Sequence, residues 1–253
     1  MSIKALQEAI RVKKTPIALG LRPEPDKIAT QILKQFTEMY GPGAMAEAET
    51  LRYHGTQAIA AAAEKLAAVM VCADSYLRLG PMGMDVLYNL ISAAKGQGLY
   101  VILDVAARCP DTWWPTGCDA VTVNPYVGAE VCAVPADKAA FALCRTGAAG
   151  SHDVQKLIAG DRHLYLALAQ QMARRGAGIA LESGYALDIR DLRRKLDKTF
   201  LLLTHCTPQA ASVAFDDYGH GALAADGDIQ YAEDPAAAVE QAIAAMKEWV
   251  SVV

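Results

Sequence analysis

Short, nearly continuous apolar runs recur along the chain at Pro16–Leu21, Ala68–Ala73, Leu99–Val105, Ala120–Asn124, Ala140–Thr146, Gly178–Glu182, Thr199–His205 and Gly221–Ala225. Runs without the alternation of a half-solvated sheet are expected of parallel strands buried on both faces. Most are separated by stretches of helical period. Met82–Lys95 carries Val86, Leu87, Leu90 and Ile91 on one face, His163–Arg175 carries Leu164, Leu168 and Met172, and Pro235–Val250 carries Val239, Ala242, Ile243 and Met246. The Ala-rich stretch Ala58–Ala68 reads as a further, well-packed helix. Pro235 stands where a helix accepts a proline in its first turn. Eight strands with intervening helices in 253 residues predict an α/β fold of the (β/α)8 TIM-barrel type, one domain over 1–253. A doubly wound open sheet is the alternative, but it uses fewer strands and no G-x-G-x-x-G turn is present. No Pro/Gly/Ser-rich linker or internal repeat divides the chain.

Hydrophobic residues make up 53% and charged residues 21% of the chain, which excludes a disordered or low-complexity protein. Basic residues number 24 against 28 acidic, a net charge of -4, and no basic stripe suggests a nucleic-acid partner. No apolar run approaches the ~20 residues that span a bilayer, so no membrane partner is expected. The opening MSIKALQEAIRVKKTPIALG lacks a secretory apolar core, so a cytoplasmic location is expected. The six cysteines form no C-x-x-C pair and read as free thiols, with no disulfide frame or structural zinc site.

In a barrel of this type chemistry gathers at the C-terminal ends of the strands. Arg22, Asp104, Asn124, Arg145, Glu182, His205 and Asp226 stand there, with Cys72 and Cys206 close by. Polar and ionisable residues after apolar strands form the pattern of a mouth that binds a small-molecule ligand. Against this, charges also collect wherever strands meet solvent. Asp104 is the exception, because it closes the apolar run YVILD, where an uncompensated carboxylate would cost several kcal/mol. It therefore needs a cation or a proton, and Arg22 or Arg108 is the expected partner. Asp104, Glu182 and His205 could supply acid–base groups or divalent-metal ligands. His205 and Cys206 are neighbours on a strand and face opposite ways, so no metal is assigned. Tyr218-Gly219-His220-Gly221 reads as a loop before the last strand. Arg174-Arg175 and Arg193-Arg194-Lys195 read as cations suited to helix C-termini.

Several segments resemble the orotidine 5'-phosphate decarboxylase family. They are Pro16–Pro23 (PIALGLRP), Leu79–Pro81 with Ala94–Asp104 (LGP…AKGQGLYVILD), Asp119–Gly128 (DAVTVNPYVG), Phe141–Gln155 (FALCRTGAAGSHDVQ) and Ile229–Pro235 (IQYAEDP). Their order and spacing fit along nearly the whole chain, and the NPY-x-G and RT…GS-x-D-x-Q pieces are the most specific. The resemblance implies a barrel, a homodimer with sites at the subunit interface, no cofactor, and decarboxylation of orotidine monophosphate to uridine monophosphate in pyrimidine biosynthesis. It also implies an alternating Lys-Asp-Lys-Asp array whose preorganised charges stabilise and protonate a developing carbanion. In a homodimer, Trp113-Trp114-Pro115 after the third strand would pack against the partner.

Position by position, most of that array is missing. The lysine closing the second strand would fall on Met70, and D-x-K-x-x-D falls on Asp104-Val105-Ala106-Ala107-Arg108-Cys109. Only Asp104 survives, unless an inserted residue lets Asp111 stand for Cys109 or Arg108 for the lysine. The ribose-contacting aspartate falls on Arg22. Where the family has a glycine-rich phosphate loop, this chain reads FLLLTHCTPQAA over Phe200–Ala211, without the glycines that let a backbone approach a phosphate. The phosphate-clamping arginine falls on Gly227, and the S-N-P of the fifth-strand loop on Gly147-Ala148-Ala149. The sister sugar-phosphate decarboxylases and hexulose-phosphate synthases share the array and fit no better. The sequence thus predicts a decarboxylase-like barrel that has lost ordinary orotidine monophosphate decarboxylation and either binds a different small ligand or serves as a silent, regulatory homologue. The alternatives are an active carboxy-lyase, and an enzyme repurposed around Asp104, Glu182 and His205.

Overall fold

The computed structural model of the protein describes residues 1–182, 184–204, 208–215 and 221–248. The apolar runs become the strands β1 Ile17–Leu21, β2 Ala68–Cys72, β3 Tyr100–Ala107, β4 Ala120–Val123, β5 Ala139–Arg145, β6 Gly178–Leu181, β7 Leu201–Leu203 and β8 Ala222–Asp226. Each pairs in parallel with its neighbour in sequence, and β1 pairs with β8, so the sheet closes into an eight-stranded barrel. All eight predicted strands are found, with ends within two residues of those read from the sequence. The open-sheet alternative is ruled out, because closure leaves no edge.

Alternate residues fill the barrel. Tyr100, Ile102, Phe141, Phe200, Leu202, Met70 and Leu223 interdigitate with Ala18, Ala68, Ala120, Ala180 and Ala225. The opposite positions, such as Val69, Val71, Val101 and Leu103, face the helices in a second and larger cluster. The phenyl rings of Phe141 and Phe200 pack at 5.9 Å between centroids. They fit because Gly178 has no Cβ, which would lie 2.5 Å from the Phe141 ring. Phe141→Ala would open a cavity here and cost about 3–5 kcal/mol.

The outer layer includes α1 Ile3–Lys13, α2 Thr30–Tyr40, α3 Ala44–Ala62, α4 Asp74–Leu77, α5 Pro81–Gly96, α6 Ser151–Gln155, α7 Leu164–Ala173, α8 Ala186–Lys195, α9 Pro208–Ala214 and α10 Pro235–Met246. The helices expected at Met82–Lys95 and His163–Arg175 are α5 and α7, and α10 begins with Pro235 as expected. The Ala58–Ala68 reading is corrected. Helix α3 starts at Ala44 and ends at Ala62, a 3-10 turn follows at Ala63–Lys65, and Ala68 already belongs to β2. Its buried face consists largely of small residues (Ala46, Ala48, Gly55, Ala58, Ala62), which carry little hydropathy and hide the period. None of the helices among the described residues is long and apolar enough to cross a membrane.

Candidate ligand-binding site at the barrel mouth

The C-terminal ends of the strands surround an open cavity of about 950 Å³. Arg22 reaches it from beyond β1, Cys72 from β2, Asp104 and Ala106 from β3, Arg145 from β5, Glu182 from beyond β6 and Thr204 from beyond β7. These positions continue the inward-facing alternation of each strand, so the barrel pattern itself delivers them to the mouth.

Asp104 sits at the centre of a small network. Its side chain is 13% exposed, and Arg22 Nη2 donates to its Oδ2 at 3.0 Å. The expected cation is therefore Arg22. The Thr122 hydroxyl donates to Oδ1 at 2.8 Å and accepts the Val105 and Ala106 backbone N–H groups at 2.9 and 3.0 Å. Thr122 thus ties the carboxylate to a bulge in β3, where the register with β4 shifts between Leu103 and Ala107. The bulge puts Ala106 at φ 46°, a left-handed conformation that costs a non-glycine residue about 1 kcal/mol. Burial opposes the charge on Arg22, while the Cys72 sulfur and the Asp104 carboxylate more than offset it and raise the guanidinium's pKa. The position on β2 level with Asp104 is Cys72. Met70 is paired with Ile102, one layer deeper in the barrel floor.

Arg145 has a different environment. It is 1% exposed. Its Nε donates to Asp188 Oδ2 at 2.8 Å, and Nη1 donates to Ser151 Oγ at 2.8 Å and Gln155 Oε1 at 2.9 Å. Nη2 lies 3.0 Å from His152 Nε2, and the guanidinium stacks 3.6 Å from the centroid of the Tyr185 ring. Lys156 pairs with the other Asp188 oxygen at 3.1 Å. Arg145 therefore clamps the loop carrying α6 to the start of α8, and its head group serves the fold. The third arginine of the lining, Arg78 just past α4, pairs with Glu47 of α3.

On the far wall, Thr204 Oγ1 donates to Glu182 Oε2 at 3.2 Å. The Glu182 carboxylate packs against Gly147, where a Cβ would come within 2.7 Å of Oε2. Asp74 and Ser75 line the rim beside Arg78.

Two expected site residues are not at the cavity. Asn124 Oδ1 accepts the Tyr126 N–H at 3.0 Å and caps the turn Pro125–Val127. Asp226 continues the register of Ala222 and Ala224, which face the helices, and its Oδ1 accepts the Asp228 N–H at 2.9 Å. Both are turn-forming Asx residues at strand ends, a role that competes with ligand binding in any strand-end list. His205 and Cys206 lie outside the described residues, as do Tyr218, Gly219 and His220. Asp111 accepts from Trp114 Nε1 at 3.0 Å and does not line the mouth, and no contact joins Arg108 to Asp104. Trp113 and Trp114 are half-buried and pack against this chain's own core.

Sequence reasoning passed over Thr122, Arg78 and Tyr185. Thr122 is buried at mid-strand in an apolar run, and only the bulge reveals its role. Behind the β1–β8 edge, Gln230 donates from Nε2 to the Gly20 and Gly227 carbonyls at 3.1 and 2.9 Å. Its Oε1 and His54 Nε2 are the buried side-chain polar atoms without a hydrogen bond among the described residues. Burial lowers the His54 pKa, and nearby Gln230 partly opposes this. Among the described residues, no group of His, Cys, Asp and Glu is arranged to hold a metal ion.

No protein-family model matches the chain. Among curated proteins it is similar to the orotidine 5'-phosphate decarboxylase of Natronomonas pharaonis, 31% identical over 138 residues, and to that of a Roseiflexus species, 27% identical over 216 residues. The first match covers 47% of this chain and 51% of its relative, so it spans about half the relative's length; the second covers 76% and 72%. In fold it is similar to the Plasmodium berghei orotidine 5'-monophosphate decarboxylase, with a TM-score of 0.84 at 14% identity over 97% of each chain. The Leishmania donovani enzyme gives 0.79 at 23% identity, over 98% of this chain and 99% of its own. At such identities the solved structures speak for the shared barrel.

Proposed function

Because this chain is a relative of the orotidine 5'-phosphate decarboxylases, we propose that it keeps their barrel as a binding scaffold and takes at its mouth a small polar ligand of little net charge, without decarboxylating orotidine monophosphate. One observation carries this reading. Each arginine lining the mouth is already paired with a carboxylate (Arg22 with Asp104, Arg78 with Glu47, Arg145 with Asp188), and no lysine lines it among the described residues. A phosphate monoester entering here meets guanidinium charge that a carboxylate already offsets. It also meets the carboxylates of Asp74 and Glu182 in the same lining.

The chemistry agrees. Decarboxylation leaves a carbanion that must be stabilised and protonated. A guanidinium keeps its proton throughout the accessible pH range and is a poor acid. Ala106, where the resemblance expects the central lysine, offers only a methyl group. Losing the general acid alone removes roughly 10²–10⁴-fold in rate. Losing the phosphate grip as well removes the binding energy that the rest of the substrate supplies to the transition state.

The test pairs a decarboxylation assay on orotidine monophosphate with a thermal-shift comparison of uridine and uridine monophosphate. The reading expects no turnover and no stabilisation specific to the monophosphate. Turnover that disappears in Asp104→Asn, or marked stabilisation by uridine monophosphate over uridine, would overturn it.

A further inference from the structure

The opposite end of the barrel carries a second cavity, of about 720 Å³, whose charge is not balanced. Four cations line it: Lys4 in the first turn of α1, Lys138 just ahead of β5, Arg175 just past α7 and Lys198 ahead of β7. Among the described residues no aspartate or glutamate lines it, although the chain as a whole has 28 acidic residues against 24 basic ones. Among the described residues, Lys4, Arg175 and Lys198 take part in no ion pair. Lys138 is fixed in place, donating to the Cys118 carbonyl at 2.7 Å and lying 5.5 Å over the Trp114 ring. Ser2 and Thr199 add side-chain hydroxyls, and Phe200 and Ala177 provide an apolar floor. The size falls within the range of small-molecule sites.

Four like charges around one opening repel one another unless a counter-charge sits among them. Several surface cations elsewhere on this chain find carboxylates, as Arg11 does with Glu8, Lys27 with Glu24 and Lys65 with Glu240, while others such as Lys14 and Arg108 stand apart from one another with no ion pair among the described residues. In this basin the four come from four separate segments and converge on a concave space. We propose that the basin is a binding site for a small, multiply charged oxyanion (a pyrophosphate-like or polycarboxylate group), separate from the ligand site at the mouth.

The probes are sodium pyrophosphate and sodium citrate, titrated calorimetrically into the full chain at about 50 mM and about 200 mM salt, which brackets the range where screening of exposed charges grows strong. Binding of about one equivalent is expected, weaker at the higher salt. Lys4→Gln/Arg175→Gln/Lys198→Gln should lose roughly tenfold or more in affinity, consistent with several exposed charge contacts acting together. Arg175→Lys/Lys198→Arg should keep binding, and Arg22→Gln at the mouth should leave it unchanged. All these changes touch solvent-facing side chains, and circular dichroism confirms the fold. Whichever probe binds more tightly identifies the phosphate or the carboxylate class. Absence of binding to either probe, undiminished binding in the triple variant, or loss of binding in Arg22→Gln would overturn the proposal. Each of these outcomes is independent of the decarboxylation assay.

Discussion

The two ends of the barrel handle positive charge in opposite ways. At the mouth, three arginines lie against carboxylates at salt-bridge distance, and one of them is fully buried. At the other end, four cations border a cavity of similar size, and among the described residues no carboxylate joins them. The mouth arginines are therefore part of the fold's internal electrostatics, while Lys4, Arg175 and Lys198 at the base make no ion pair among the described residues. A count of arginines and lysines near a cavity is thus a poor guide to anion binding until their partners are known.

The largest expected effect comes from Arg145. Arg145→Leu leaves buried Asp188 with Lys156 alone and releases the loop of α6, so urea denaturation should show a loss of about 3–5 kcal/mol. A loss below about 1 kcal/mol would mean that the mouth arginines are no more structural than the basal ones. Thr122→Val comes next. It removes the acceptor of two backbone N–H groups and a donor to Asp104, at a cost of about 1–3 kcal/mol in the same assay. A smaller effect follows from pH. The His54 pKa is lowered by burial from its ordinary 6.5, so folding is favoured above that value and stability declines as pH falls below it. His54→Gln should flatten this part of the stability profile, and an unchanged slope would assign it to other groups. The smallest effect is expected at the base of the barrel, where Arg175→Gln and Lys198→Gln should each stay within about 0.5 kcal/mol of the parent. A larger loss from either would show that the basal cations also support the fold.

The eight strands were legible because burial on both faces forces continuous apolar runs, and closure of the barrel follows from their number. Asp104 was legible as well. A carboxylate closing YVILD demands a cation, and Arg22 supplies it at 3.0 Å. Helix α3 was only half legible, since alanine and glycine pack well without marking a periodic face. Asn124 and Asp226 share the position of ligand-binding residues at strand ends but cap turns instead, and only their hydrogen bonds separate the two roles.

By itself the chain order determined the strands and the demand of Asp104 for a cation, because each depends on residue type at successive positions. Which charges neutralise one another was settled only in three dimensions. Arg145 meets Asp188 across 43 residues and Arg22 meets Asp104 across 82, while Lys4, Lys138, Arg175 and Lys198 converge from four segments with no acid among the described residues of the lining. Coulomb energy depends on spatial separation and solvent exposure, and neither quantity is written in the order of residues.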